Sequence, residues 1–112
     1  LFESFAAGTP DALVAVLDPD VVLRTDGGTE QPERTSILRG STAVARLVLR
    51  SARPSASLRP ALVNGTAGMI GMIGDRPFAV MGFTVVAGKI VEINAVVDPA
   101  RLRALDLTAL DG

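Results

Sequence analysis

Apolar and polar positions alternate differently in the two halves of the chain. In the first half the spacing is helical. Phe2 and Phe5 lie three apart and predict the tail of a helix over 1–7, stopped at Gly8. Thr9-Pro10-Asp11 carries the residues of a helix start: a hydroxyl cap, a proline suited to the first turn, and an acid suited to the positive end. Leu13, Val16 and Leu17 give that helix an apolar face, and Asp18-Pro19 is expected to end it. Val21–Thr25 reads as a short strand, Asp26-Gly27-Gly28-Thr29 as a turn, and the stretch to about Gly40 as a polar loop. Ser41 suits the cap of a helix reaching about Ala52, with Val44, Leu47 and Val48 as its apolar stripe.

The second half changes period. Ser57–Val63, Gly68–Ile73, Phe78–Val86 and Lys89–Val97 are β-branched or apolar runs. Asn64-Gly65, Gly74-Asp75 and Ala87-Gly88 separate them at hairpin spacing, which predicts an antiparallel meander. Gly71 and Gly82 allow bends within strands. Asp98-Pro99 opens a last helical turn with Leu102 and Leu105 three apart. The order predicts one α+β domain over 1–112, with helices packed on one face of a curved, mostly antiparallel sheet.

Composition narrows what such a domain can do. Its 112 residues suit one domain, and 48% apolar content suits a packed core. The only aromatic residues are Phe2, Phe5, Phe78 and Phe83, so Val, Leu, Ile, Ala and Met must build most of that core. Eleven basic and twelve acidic residues leave a net charge of −1, which gives no electrostatic case for nucleic acid or an anionic membrane as a direct partner. Basic residues are almost all Arg, a mark of a GC-rich genome rather than of function. No run is apolar enough to span a membrane and no signal peptide is evident, so the expected compartment is the cytoplasm. The first residue is Leu1 and not Met, which predicts a piece of something larger.

The chemistry available is thin. The chain has no His, Cys, Tyr or Trp. Triads built on Ser or Cys with His are excluded, as are thiolate metal sites. The Asp26–Thr29 turn lacks a P-loop lysine and dinucleotide-loop spacing. No catalytic set, cofactor or metal is expected; only acid–base work by a carboxylate remains. Asp26 is one candidate, as a base or a docking contact. The plainer reading is that its side chain bonds the turn backbone. Glu92 and Asn94 share one face of the last strand and either point into a pocket between sheet and helices or mark a solvated face. Asp98 most simply caps the last helical turn. Arg46, Arg50 and Arg53 stand on one helix face, an arrangement that is usually solvated. Phe78 and Phe83 are expected in the core, as are Met69, Met72 and Met81.

Four segments in order carry a family resemblance. Leu17-Asp18-Pro19-Asp20-Val21-Val22-Leu23-Arg24-Thr25-Asp26-Gly27-Gly28 resembles a stretch ending in DGGG, and Leu62-Val63-Asn64-Gly65 an LVNG turn. Phe83-Thr84-Val85 before Gly88-Lys89-Ile90 resembles an FTV hairpin followed by G-[RK]-I. Asp98-Pro99-Ala100-Arg101-Leu102 resembles an NPDKL segment. Together they resemble the SnoaL-like C-terminal domain of bacterial extracytoplasmic-function RNA polymerase sigma factors of the sigma-J type. The likeness runs over nearly the whole chain, with the start of the first helix missing.

The resemblance implies a nuclear-transport-factor-2-like cone. It also implies regulation of transcription initiation in cis, by contact with the promoter-binding sigma regions and their linker. Those regions would lie upstream of Leu1, and the full-length protein, not this domain, would bind DNA and the polymerase core. The implied contact residues are Asp26, Gly27, Gly28 and Thr29 with Asp98, Pro99, Arg101 and Leu102. Thr29 replaces the fourth glycine of the motif, Asp98 its Asn, and Ala100 its acid. A homodimer through the sheet is compatible with this fold. The alternative is a small-molecule enzyme or binder of the SnoaL or ketosteroid-isomerase kind. It would use Asp26 or Glu92 as base, with Asn94 or backbone amides facing the oxyanion.

Overall fold

The computed structural model describes residues 9–28, 32–50, 56–63, 65–104 and 107–109. The expected helix over 1–7, and Thr29, Arg53 and Leu105, lie outside the described residues. In chain order the elements are α1 (Pro10–Val16), β1 (Leu17–Asp26), a 3-10 turn (Pro32–Arg34), β2 (Ser36–Arg39), α2 (Ser41–Arg50), β3 (Ala56–Val63), β4 (Thr66–Ile73), β5 (Arg76–Val86), β6 (Lys89–Val96), α3 (Pro99–Ala104) and β7 (Leu107–Ala109).

α1 starts as its sequence dictates. The Thr9 hydroxyl accepts the N–H of Ala12, and Pro10 occupies the first turn. It ends one residue earlier than the apolar spacing suggested. Pro19 disfavours helix at Asp18 and has no N–H to donate, so Leu17 already belongs to β1. Leu17 still faces the core, at 2% exposure, now as a strand residue. Asp18 Oδ1 accepts the N–H of Asp20 across the irregularity that follows, between Leu17 and Val22. α2 begins at Ser41 itself, with Gly40 before it at φ 95.

The strands form a seven-stranded sheet in the order β2-β1-β6-β5-β4-β3-β7. β1 and β6 run parallel; the other neighbours are antiparallel. The three expected hairpin turns are present, since Val63 pairs with Thr66, Ile73 with Arg76 and Val86 with Lys89. In the last of them Ala87 and Gly88 both have positive φ, 52° and 78°. That geometry suits the twist of a tight hairpin but costs a residue with a Cβ about 1–2 kcal/mol. Ala87→Asn is therefore expected to stabilise the chain by about 1 kcal/mol, read as a shift of the urea midpoint with an unchanged slope.

The core has two sides. Leu13, Leu17, Val21, Leu23, Val44, Ala45, Met69, Phe83, Ile90 and Ile93 pack α1 and α2 onto one face. Ala61, Ile70, Val80 and Leu102 form a second cluster on the other. Met69 and Ile70 are adjacent on β4 and point to opposite faces, which separates the two clusters. The expectation that all helices share one face is thus corrected. α3 lies on the opposite side, because Ile70 and Val80 alternate away from α1 and α2 and take their cover from Leu102. Two glycines pair, Gly68 opposite Gly82, and a Cβ on Gly68 would stand 2.2 Å from the carbonyl oxygen of Met81; the register of β4 with β5 shifts between Gly71 and Met72. The Phe78 ring lies over Gly71, and Phe83 is 2% exposed.

Candidate functional site

The first strand ends at Asp26 and the last long strand at Val96. Because β1 and β6 are parallel neighbours, both ends arrive at the same edge of the domain. Topology thereby brings together two segments about 70 residues apart, the Asp26–Gly28 turn and the Asp98–Leu102 segment. The Val97 N–H donates to the Asp26 carbonyl at 3.0 Å, extending the parallel pairing by one bond.

Asp26 holds the junction with both carboxylate oxygens. Oδ1 accepts the N–H of Gly28 at 2.8 Å, the turn-bonding role open to an aspartate before glycine. Oδ2 pairs with Nη1 of Arg101 at 2.6 Å. The Gly27 N–H donates to the Thr35 hydroxyl at 3.1 Å. Gly28 turns left-handed, φ 63, and lies flat against Asp98: a Cβ there would stand 2.4 Å from the Asp98 Cγ. Asp98 accepts the N–H of Arg101 on Oδ2 at 3.2 Å, the capping role its position suggests. Leu102 then drops into the second cluster at 6% exposure and seats α3 on the sheet.

The electrostatics divide this site into an outer and an inner part. The Arg101 and Asp26 side chains are 61% and 37% exposed. A pair so open contributes about 0–1 kcal/mol, so it can exchange partners at little cost. Asp98 is buried, at 3% exposure. Of the residues singled out for this contact, Asp26, Gly27, Gly28, Asp98, Arg101 and Leu102 converge here, and Pro99 begins α3. Thr35 belongs to the same site and was missed. It sits in a polar stretch with no periodicity to mark it, and only the fold brings its hydroxyl to Gly27.

Glu92 and Asn94 are elsewhere. Both lie on the sheet face away from α1 and α2, the face on which Leu102 seats α3. Arg24 Nε pairs with Glu92 Oε1 at 2.9 Å, both side chains partly exposed. Asn94 is exposed and lines a depression of about 280 Å³ on the same face, together with Val63, Val80 and Val96 and with Thr66 and Thr84. No carboxylate among the described residues lines that depression. Among the described residues no group of three metal-ligating side chains comes together. Also among them, no helix is long and apolar enough to cross a membrane. Arg46 and Arg50 are exposed on α2.

No protein-family model matches the chain. It is 32% identical over 111 residues to the ECF RNA polymerase sigma factor SigJ of Mycobacterium tuberculosis, across 88% of this chain but 36% of that protein. The crystal structure of SigJ superposes with TM-score 0.67 at 27% identity, over 91% of this chain and 41% of that one. The chain thus spans little more than a third of the sigma factor it matches. Looser likenesses bear on the fold alone. An NTF2-like protein of Burkholderia xenovorans matches with TM-score 0.59 at 18% identity, over 86% of this chain and 75% of that one. A candidate ketosteroid isomerase of Kribbella flavida also gives 0.59, at 14% identity, over 85% and 70%. The chain has the NTF2-like, SnoaL-like fold and is homologous to the part of the ECF sigma factor SigJ that carries it.

Proposed function

We propose that this chain is the SnoaL-like regulatory domain of an extracytoplasmic-function sigma factor. In this reading it follows promoter-binding and core-binding sigma regions in a cytoplasmic protein and modulates transcription initiation by docking on those regions and their linker in cis. The supporting observation is the junction of Asp26, Gly28, Asp98 and Arg101. Two segments that resemble contact motifs meet in one surface, tied by an ion pair too exposed to matter much for stability. The homology to SigJ supports the setting. Docking places the polymerase core and promoter within reach of the full-length protein, with no direct nucleic acid contact by the domain.

The enzyme or ligand-binding reading draws only on fold likeness. It needs a desolvated carboxylate in an enclosed pocket. Asp26 and Glu92 are both ion-paired and partly exposed.

The test is Arg101→Glu in the full-length protein, read with a promoter reporter. Output is expected to change about fivefold or more, the range of a modest coupling between domains. The isolated chain should keep its stability to within about 1 kcal/mol, as for other exposed pairs. A double exchange, Arg101→Asp with Asp26→Arg, rebuilds the pair without restoring the cation at 101. Full recovery of output by that exchange would reduce the pair to an internal contact and sink the docking reading.

A further inference from the structure

Among the described side chains, Oδ1 of Asp98 is a buried polar atom with no hydrogen-bond partner. The residue is 3% exposed, its Oδ2 accepts the N–H of Arg101, and its Oδ1 has no hydrogen-bond partner. Buried polar atoms in folded proteins are nearly always paired, and an orphaned carboxylate oxygen is among the costliest exceptions. Among the described residues no cation pairs with it: the ion pairs there are Arg24 with Glu92 and Arg101 with Asp26. The Asp26 carboxylate beside it is already engaged on both oxygens. Among the described residues the junction therefore holds two carboxylates against one guanidinium, and the unpartnered acceptor is on the inner one.

We propose that Asp98 Oδ1 is the acceptor for a cationic side chain, a guanidinium or an ammonium, carried by the polypeptide that docks on the Asp26–Arg101 junction. This rests on the docking reading above and names the chemistry of the partner. A cation fits better than a neutral donor because it cancels the uncompensated charge and makes the stronger hydrogen bond to a carboxylate. The way in is Gly28. It carries no side chain, it covers Asp98, and its turn is held by bonds from the N–H groups of Gly27 and Gly28 to side-chain oxygens. Shifting that turn uncovers Oδ1 and leaves the pairing of β1 with β6 intact.

The test uses full-length protein and Asp98→Asn. Asn has the same shape and keeps an oxygen for the Arg101 N–H, but replaces the free acceptor with a donor. Docking is followed by hydrogen-exchange protection of residues 98–102. It is expected to weaken about thirtyfold or more, as when one partner of a buried charge pair is removed. Each Arg and Lys of the remaining polypeptide is then changed to Gln in the wild-type and Asp98→Asn backgrounds. The partner is the position whose effect disappears in the Asp98→Asn background. If Arg101→Glu disrupts docking while Asp98→Asn does not, docking stands and this proposal falls. If Asp98→Asn weakens docking but no basic residue couples to it, the cationic partner is overturned. If neither variant changes docking, the docking reading itself has failed.

Discussion

Leu102→Ala is expected to destabilise the isolated chain by about 2–5 kcal/mol, the range for a large-to-small change at a buried leucine. Leu102 is 6% exposed and joins Ala61, Ile70 and Val80 in the smaller of the two clusters. α3 has only six residues and makes no helix of lasting stability alone. Among its described side chains Leu102 is the buried one. Removing it should release α3 before the rest of the domain, because the core against α1 and α2 shares no residue with the second cluster. The consequence reaches the junction. Asp98 and Arg101 both lie within the four residues before Leu102, so a loosened α3 carries both away from Gly28 and Asp26. Urea unfolding should show a lower midpoint, and hydrogen exchange should show early loss of protection confined to 98–104. Leu102→Met keeps the volume and should cost less than about 1.5 kcal/mol. Equal effects of Ala and Met would mean that packing of this side chain does not hold α3.

The sequence made the meander legible because each of its turns has chemistry of its own. Asn64-Gly65, Gly74-Asp75 and Ala87-Gly88 fix two-residue connections, and those connections fix the register of four strands. β2 and β7 escaped because edge strands of four and three residues carry too few positions for alternation to show. In β2 only Leu38 turns to the core, while Ile37 is 57% exposed. The boundary between α1 and β1 was misjudged for a different reason. Leu17 continues the helical apolar face and also serves as a buried strand residue, and only the effect of Pro19 decides between them. The side on which α3 lies is a tertiary fact: Leu102 is apolar on either face. The site was half legible. Its residues stood out as a glycine turn and an Asp-Pro helix start, and each plain reading of a carboxylate is realised, Asp26 bonding its turn and Asp98 capping α3. Their meeting is not local. It follows from the parallel pairing of β1 with β6, which no short-range pattern announces.

Gly28→Ala should cost about 2–4 kcal/mol, well above the same change at another left-handed glycine. The comparison is Gly65, with φ 80 and nothing within 4 Å of a built Cβ. At Gly65 only the backbone conformation resists alanine, at about 1–2 kcal/mol. Gly28 has a similar φ of 63, but its Cβ would stand 2.4 Å from Asp98 Cγ and 2.7 Å from Asp98 Cβ. Those atoms sit near the backbone and cannot swing aside as a long side chain would. Either Asp98 leaves, losing its bond to the Arg101 N–H, or the turn opens, losing the bonds to Asp26 and Thr35. A lost cap bond alone costs about 0.5–2 kcal/mol, which sets the expected excess over Gly65→Ala. The two variants separate stability from contact as well. Gly65→Ala should leave promoter output of the full-length protein unchanged, because its turn is remote from the junction. Gly28→Ala should alter output even at temperatures where the domain stays folded, because it displaces the cover over Asp98. Equal stability losses at the two glycines would show that Gly28 and Asp98 do not pack as described, and the junction would lose the element that makes it one surface.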